Sequence, residues 1–158
     1  MSKQKKPRDK RHIPKVCLVP RIIPMITAAE VYPDLALKFH FKLEAAIKEP
    51  AIVTLNQLSK ELCVIAGAMS YASNGAPILG KRDPASLAIM SAIRVMESIV
   101  DRHTATEKTV ITQQEAKTLI AASGALDRVL CRVSRHSYDT AKNEVDSHIS
   151  DQIERIAA

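Results

Sequence analysis

Residues 54–72 read TLNQLSKELCVIAGAMSYA, and their apolar side chains recur at alternating spacings of three and four. In a helix of 3.6 residues per turn this spacing places them on one face. The stripe consists of Leu55, Leu58, Leu62, Ile65, Met69 and Ala72. It predicts a helix that packs lengthwise against a partner at a shallow angle. Thr54 and Gln57 have the spacing of a capping box that begins this helix, and Asn74-Gly75 is a left-handed stop after it.

The residues before this stretch predict a helix from about residue 33 to residue 48. Pro33 suits a first helical turn, and Pro50 prevents the helix from continuing. Its apolar residues recur every fourth position: Leu35, Phe39, Leu43 and Ile47.

The residues after it predict a helix that begins at Asp83-Pro84, with the aspartate as the cap and the proline in the first turn. Its apolar side chains lie on more than one face, so this helix is predicted to occupy the middle of the fold. They are Leu87, Ile89, Met90, Ile93, Val95, Met96, Ile99 and Val100.

A second capping box, Thr112 with Glu115, predicts another helix start. The apolar stripe that follows contains Leu119, Ala122, Leu126, Leu130 and Val133, and it resumes as Tyr138, Ala141, Val145, Ile149, Ile153 and Ile156. No glycine or proline occurs after residue 124. This last region is therefore either two helices or one long helix bent near residues 134–137.

Composition favours the same fold class. Hydrophobic residues make up 46% of the 158 residues, but aromatic residues only 3%, and there are four glycines and no tryptophan. A core of aliphatic side chains and alanine is typical of packed helices, and four glycines are too few for an all-β fold with many tight turns. The sequence predicts an all-α protein, an antiparallel bundle of four to five helices over residues 34–158.

Residues 16–33 differ from the bundle because they are apolar but interrupted by prolines at positions 20, 24 and 33. Proline removes a backbone donor and favours extended geometry in the preceding residue. We predict an extended strap on the helices, with a short edge strand as an alternative. The residues predicted to be buried by the strap are Val16, Leu18, Ile22, Ile23 and Ile26.

Residues 1–15 are predicted to form a flexible basic arm. The basic residues are Lys3, Lys5, Lys6, Arg8, Lys10, Arg11 and Lys15. Asp9 is the single acidic residue there, so the arm carries a net charge of +6, and 16 basic and 16 acidic residues remain for the rest of the chain. Segregated cations favour contact with phosphate or another anionic surface through counterion release. A solubilising tail without a partner is the alternative.

A second basic set is Arg128, Arg132 and Arg135. Their spacings of four and three would place them on one face of a continuous helix, where they could extend a basic track for nucleic acid. The alternative is an ordinary solvated face beside the apolar stripe. Arg21, Lys81 and Arg82 would enlarge the patch formed by the arm if the fold brings those loops near it.

No motif in the sequence predicts catalysis, a cofactor or a metal. Residues 75–81 have the glycine spacing and lysine of a phosphate-binding loop, but Arg82 replaces the required serine or threonine. Glu144, His148 and Asp151 share one helical region, yet helix surfaces produce such spacing freely. Cys17, Cys63 and Cys131 are far apart, which favours small half-buried side chains in a reducing compartment. We therefore expect a cytoplasmic protein, without a membrane span.

Four stretches together carry a resemblance. They are KQKKPRDKRHIPK (3–15), LNQLSKELCVIAGAMSYASNG (55–75), MESIVDRHTATEK (96–108) and ITQQEAKTLIAASGALDRVL (111–130). In layout the chain resembles small helical proteins of temperate bacteriophages and prophages of proteobacteria, which begin with a basic head containing proline. The resemblance implies an accessory factor that acts on a host complex or on nucleic acid, and it brings no catalytic residue with it.

Two functional hypotheses follow. The first is a non-enzymatic interaction protein that docks on a host protein or ribonucleoprotein complex and contacts an anionic surface with its arm. A homodimer along an unpaired helix face is a further expectation of this hypothesis. The second is a nucleic-acid-binding regulator that uses the arm and the face of Arg128, Arg132 and Arg135, with largely non-specific contacts.

Overall fold

The structure, a computed structural model, describes residues 26–71 and 83–157, and over these residues it is a bundle of α-helices. The predicted all-α fold is confirmed. The helices are α1 (Ala28–Val31), α2 (Leu35–Lys48), α3 (Ile52–Ser70), α4 (Pro84–Thr106), α5 (Gln113–Leu130) and α6 (Arg135–Ala157).

Helix α3 is the centre of the bundle, because it contacts α2, α4, α5 and α6. The predicted stripe is buried, and its members are Leu55, Leu58, Leu62, Ile65 and Met69. The prediction that α4 occupies the middle is wrong. Leu87 and Met90 of α4 are 51% and 45% exposed, and α4 buries a single face that includes Ile89, Met96 and Ile99. Hydrophobic residues on several sides of a helix do not by themselves require several neighbours.

Helices α3 and α6 approach each other closely at Gly67. A Cβ atom at this position would lie 3.2 Å from the Cβ of Ala141, which is tighter than ordinary van der Waals contact. Two small residues opposite each other therefore set the distance between these helices, and the mutual packing buries Ala141 and Tyr138.

Two of the predicted helix starts are confirmed by their hydrogen bonds. Asp83 Oδ1 accepts from the backbone N–H of Ala85 at 2.9 Å, with Pro84 as the first residue of α4. The capping box at the start of α5 is present, with Thr112 Oγ1 accepting from Glu115 N and Glu115 Oε2 accepting from Thr112 N.

The predicted start at Thr54 is wrong. Helix α3 begins at Ile52, and its cap residue Ala51 makes no side-chain hydrogen bond. Leu55 N donates to Ala51 O at 3.1 Å, so the helical ladder already runs past Thr54. Ile52 is half-buried, and tertiary packing extends the helix upstream of its polar residues.

The strap predicted over residues 16–33 is partly corrected. Residues 16–25 lie outside the described residues, but Ile26 is 56% exposed rather than buried. Residues 28–31 form the one-turn helix α1, because Thr27 and Glu30 make a capping box that the sequence reading missed. Ala72 and the Asn74-Gly75 stop also lie outside the described residues.

The last two helices are separate, since α5 ends at Leu130 and α6 begins at Arg135. The apolar stripe of α5 is buried as predicted, but that of α6 is buried only near its start. Val145 and Ile149 are half-buried, and Ile153 is 62% exposed, because the far end of α6 has fewer neighbours to pack against.

Candidate functional site

The connection between α5 and α6, residues 131–134, is where the chain arrives from its N-terminal region. Ala28 N donates to Val133 O at 2.8 Å, and Arg135 N donates to Ile26 O at 2.9 Å. These two bonds make an isolated antiparallel bridge between Thr27 and Ser134. We call residues 26–28 together with residues 131–135 the joint. Residues 1–25 connect to the bundle through Ile26, which is part of the joint.

Short-range interactions stabilise the backbone on both sides of the joint. Ser134 Oγ accepts from Ser137 N at 3.0 Å, which satisfies one free N–H in the first turn of α6. Ala28 and Val133 are fully buried beside the bridge and anchor it to the core. The joint is therefore anchored to the core, while the side chains of Cys131, Arg132 and Arg135 are exposed.

The predicted arginine face is split by the joint. Arg128 lies in the last turn of α5, Arg132 in the connection and Arg135 at the first position of α6. The prediction of one continuous helical face is wrong, because the helix on which it depended ends at Leu130. All three side chains are nevertheless exposed and lie within eight residues at one corner of the bundle.

Two of these arginines have carboxylate partners. Arg132 Nη1 lies 3.4 Å from Asp83 Oδ2, and Arg135 Nε lies 3.3 Å from Asp139 Oδ2. Both guanidinium side chains remain more than half exposed, so each pair is weak and open to exchange with an external anion. Arg128 makes no ion pair with any of the described residues.

The bond between Arg132 and Asp83 brings a second part of the chain to the joint. Asp83 directly follows Lys81-Arg82 in the sequence. Arg21 is five residues upstream of Ile26. The attachment points of both cation-rich segments, Ile26 and Asp83, thus contact the same corner. Arg21, Lys81, Arg82 and the seven basic residues of the arm themselves lie outside the described residues.

Charge is more strongly segregated along the chain than we predicted from the sequence. The described residues contain 13 basic and 16 acidic side chains, a net charge of −3. The remaining residues, 1–25, 72–82 and 158, contain ten basic side chains and one acidic one, a net charge of +9. Residues 26–71 and 83–157 are therefore mildly acidic, and the excess of positive charge lies in residues 1–25 and 72–82 of the sequence.

A pair of tyrosines supports the α6 side of the joint. Tyr32 donates a hydrogen bond to Asp139 Oδ1 at 2.7 Å, and this bond raises the pKa of Tyr32. The rings of Tyr32 and Tyr138 are 5.1 Å apart, and burial raises the pKa of Tyr138 to about 12. Both phenols are neutral at physiological pH, and the hydrogen bond from Tyr32 holds Asp139 beside Arg135 without adding negative charge.

A separate cleft of about 300 Å³ lies between α2, α3 and the start of α6, and it was not found from the sequence. Three lysines line it, together with Tyr138: Lys42, Lys60 and Lys142. Lys42 pairs with Glu61 and Lys60 pairs with Asp146, so most of this charge is neutralised inside the cleft. Residues from three helices meet here, and spacing within any one helix could not have predicted it.

Three histidines of the described residues contact individual polar side chains rather than a cluster of metal ligands. His40 contacts Ser123, His103 contacts Thr109, and His148 contacts Gln152. No group of three or more metal-binding side chains occurs within residues 26–71 and 83–157.

The cysteines were predicted to be half-buried. Cys63 is half-buried, and burial raises the pKa of its thiol, which disfavours the nucleophilic thiolate. Cys131 is exposed, contrary to the prediction, because it follows the last turn of α5 at the joint. Cys17 lies outside the described residues.

No known protein family, curated protein or solved structure matches this chain. In the described part of the chain, no helix is both long enough and apolar enough to cross a membrane.

Proposed function

We propose that this protein is a non-enzymatic interaction module, a phage-type accessory factor that docks on a host protein or ribonucleoprotein complex. The joint is the attachment point of its anion-binding segments, and the basic arm makes the main contact with an anionic surface of the partner. The observation that carries the proposal is that Ile26 and Asp83, which directly follow the two cation-rich segments in the sequence, both contact residues 132–135, through the bridge between Thr27 and Ser134 and the ion pair of Arg132 with Asp83.

The charge of the helical body favours a mixed partner over bare nucleic acid. A body with a net charge of −3 repels a polyanion, so the arm and the joint would have to supply all of the attraction. A protein or ribonucleoprotein surface offers basic or neutral areas for the body beside an anionic area for the arm. The split of Arg128, Arg132 and Arg135 over two helices removes the continuous basic track on which the nucleic-acid hypothesis depended.

A comparison of particle and naked RNA tests this choice. Purified ribosomes serve as the ribonucleoprotein probe and protein-free ribosomal RNA as the second probe, with binding measured at about 50 and 200 mM salt. We expect the full chain to bind the particle more tightly than the RNA, with a smaller salt dependence for the particle. Equal affinity for both, with the log of the binding constant falling at a slope near −6 for both, would favour the nucleic-acid-binding regulator instead.

Two variants separate the arm from general charge effects. Replacing the seven basic residues of the arm by glutamine should weaken binding at least about 100-fold at low salt, because each phosphate contact depends on a released counterion. Replacing Arg94 and Lys108, which are exposed elsewhere on the bundle, by glutamine is the control and should change binding less than about threefold. Binding that survives neutralisation of the arm would contradict the proposal.

The arginines of the joint should contribute less to binding than the basic residues of the arm. We expect Arg132→Gln combined with Arg135→Gln to weaken binding by about three- to tenfold, because two exposed and weakly paired guanidinium groups are lost. The melting temperature of this double variant should remain close to that of the parent, which excludes unfolding as the cause.

A further inference from the structure

Helices α2 and α5 lie side by side and expose apolar side chains on their outer surface. Leu37 and Phe41 of α2 are 53% and 59% exposed, and Ile120 of α5 is 50% exposed. His40 Nδ1 and Ser123 Oγ are 3.2 Å apart, which places the middle of α2 beside the middle of α5. We define the α2–α5 face as Leu37, Phe41, Lys117, Ile120, Gly124 and Asp127.

The α5 part of this face has an ordered pattern. Lys117, Ile120, Gly124 and Asp127 are spaced by three, four and three residues, and all four are exposed on one side of the helix. Lys117 and Asp127 have no ion-pair partner within the described residues. A Cβ atom at Gly124 would meet no atom within 4 Å, so open space lies above this glycine. The α5 part of the face therefore has an exposed apolar side chain at Ile120 and open space above Gly124. It also has two side chains of opposite charge, Lys117 and Asp127, without an ion-pair partner among the described residues.

We propose that the α2–α5 face binds a second copy of this chain. The twofold axis of this dimer crosses the outer side of α5 at the level of residue 122. In this arrangement the two α5 helices are antiparallel, and every contact occurs twice. Ile120 fills the space above Gly124 of the second copy. Residue 122 is midway between residues 120 and 124 and also midway between residues 117 and 127. Lys117 of one copy therefore lies opposite Asp127 of the second copy.

The exposed side chains of α2 fit the same axis. Residue 39 is midway between Leu37 and Phe41, and it neighbours His40, which contacts Ser123 next to residue 122. An axis over residue 122 therefore passes close to the centre of the apolar pair on α2. The same twofold axis therefore places Leu37 of one copy against Phe41 of the other.

The charges select the antiparallel arrangement. Parallel α5 helices would place Lys117 opposite Lys117 and Asp127 opposite Asp127, which is repulsive at both positions. The antiparallel arrangement pairs each lysine with an aspartate. A second copy fits better than a partner with one sign of charge, since the face itself carries one charge of each sign.

The size of the face indicates a weak dimer. Helix α5 has 18 residues and is therefore about 27 Å long, and two adjacent helices are about 20 Å wide. A face of these dimensions is at the lower end of specific protein interfaces, for which dissociation constants of about micromolar are common.

The dimer would also double the arm, and this consequence rests on the proposed function. Residue 131 is nine residues from residue 122, so antiparallel α5 helices would place the two joints about 27 Å apart along the helix direction. Two arms on one particle would bind an extended anionic surface more tightly than one arm does.

Sedimentation equilibrium of the full chain from about 1 to 200 µM tests the proposal. We expect a monomer–dimer equilibrium in this range. Gly124→Gln should raise the dimer dissociation constant about tenfold or more, because its side chain occupies the space that Ile120 of the second copy fills. The melting temperature measured in the monomer range should stay equal or rise, since glutamine is a better helix former than glycine.

Charge exchange provides the decisive control. Lys117→Asp and Asp127→Lys should each weaken the dimer about tenfold, because twofold symmetry repeats each like-charge pair. The double variant should restore the parental dissociation constant, which a merely structural role would not do. Neither single change harms the helix dipole of α5, since each puts the favourable charge at its end of the helix.

Val53→Gln, at a side chain that is 66% exposed on α3, is the matched control outside the face and should leave the dimer unchanged. A monomer across the whole concentration range would overturn the proposal. A dimer insensitive to Gly124→Gln, or a failure of the charge exchange to restore association, would also overturn it. Deletion of residues 1–15 should preserve the dimer while abolishing binding to the anionic partner, so the two proposals fail independently.

Discussion

Helix α3 and the joint between α5 and α6 are held in place by different interactions. In α3 the position is set by five large apolar side chains that are almost entirely excluded from water. In the joint it is set by two backbone hydrogen bonds between residues more than 100 positions apart in the chain. Apolar burial is spread over many contacts and stabilises the whole bundle. The two hydrogen bonds add little net free energy but decide where Ile26, which follows the N-terminal basic segment in the sequence, lies on the bundle.

The largest expected effect in this comparison is on α3. Leu62 is 0% exposed, so Leu62→Ala should lower the free energy of unfolding by about 3 kcal/mol through lost burial and a residual cavity. Urea unfolding followed by circular dichroism measures it. Val53→Ala, on the exposed side of the same helix, should change stability by less than about 0.5 kcal/mol. Equal effects of the two changes would contradict the central position of α3.

Two glycines sharpen the comparison between packed and open positions. Gly67→Val should destabilise the protein by about 2 kcal/mol, because Ala141 leaves no room for a larger side chain. Gly124→Ala should stabilise it by about 0.5–1 kcal/mol, because nothing lies within 4 Å and alanine is the better helix former. Thermal unfolding at a fixed low protein concentration compares both with the parent. A stabilising Gly67→Val would show that α3 and α6 are further apart than the structure has them.

Substitutions at Ser134 in the joint and at Thr54 near the start of α3 compare the stability contributed by a residue that caps a helix with that of a residue that does not. Ser134→Ala should cost about 1 kcal/mol, because Ser137 N loses its acceptor in the first turn of α6. Thr54→Ala should be nearly neutral, because α3 begins at Ile52 and Thr54 is not its cap. Urea unfolding of both variants measures the difference. A cost at Thr54 as large as that at Ser134 would restore the start predicted from the sequence.

The smallest effect concerns the turn between α4 and α5, which is held by side chains rather than by a backbone bridge. Burial tends to raise the pKa of Glu115, but hydrogen bonds from Arg102 and Thr112 outweigh it and lower the pKa below its ordinary value of 4.5. The stability from Glu115 is therefore present above about pH 4.5 and is lost as the pH falls through the lowered pKa.

Glu115→Gln should cost about 1 kcal/mol at pH 7, because its ion pair with Arg102 is partly exposed. Urea unfolding between about pH 3 and pH 7 checks the pH dependence, and the variant should lose less stability than the parent on acidification. Equal slopes for both proteins would contradict the assignment of this pH dependence to Glu115.

The parts of the fold that were predictable are those encoded by local pattern. The stripe from Leu55 to Met69, the cap at Asp83 and the capping box at Thr112 each depend on residues within one or a few helical turns. The same kind of signal was present in Thr27–Glu30 and was missed, because nearby prolines made an extended strap the simpler interpretation. A search for capping boxes in proline-rich stretches would have found α1.

The candidate site was predictable only in its composition. Arg128, Arg132 and Arg135 are exposed, but their spacing indicated one helix face where the structure has a helix end, a connection and a new helix. No glycine or proline marks that break. Backbone hydrogen bonds to Ile26 and Ala28 accompany it, and they join positions that no local window contains.

Sequence alone determined that this chain forms amphipathic helices with an aliphatic core and that its positive charge is concentrated near its beginning, because helical periodicity and net charge are properties of neighbouring residues. Only the tertiary structure decided that α3 rather than α4 is central, that Gly67 meets Ala141, and that Ile26 bonds to Arg135 while Asp83 pairs with Arg132. These facts depend on which helix faces become neighbours. That choice depends on burying apolar surface from several helices at once and is not contained in any single helix.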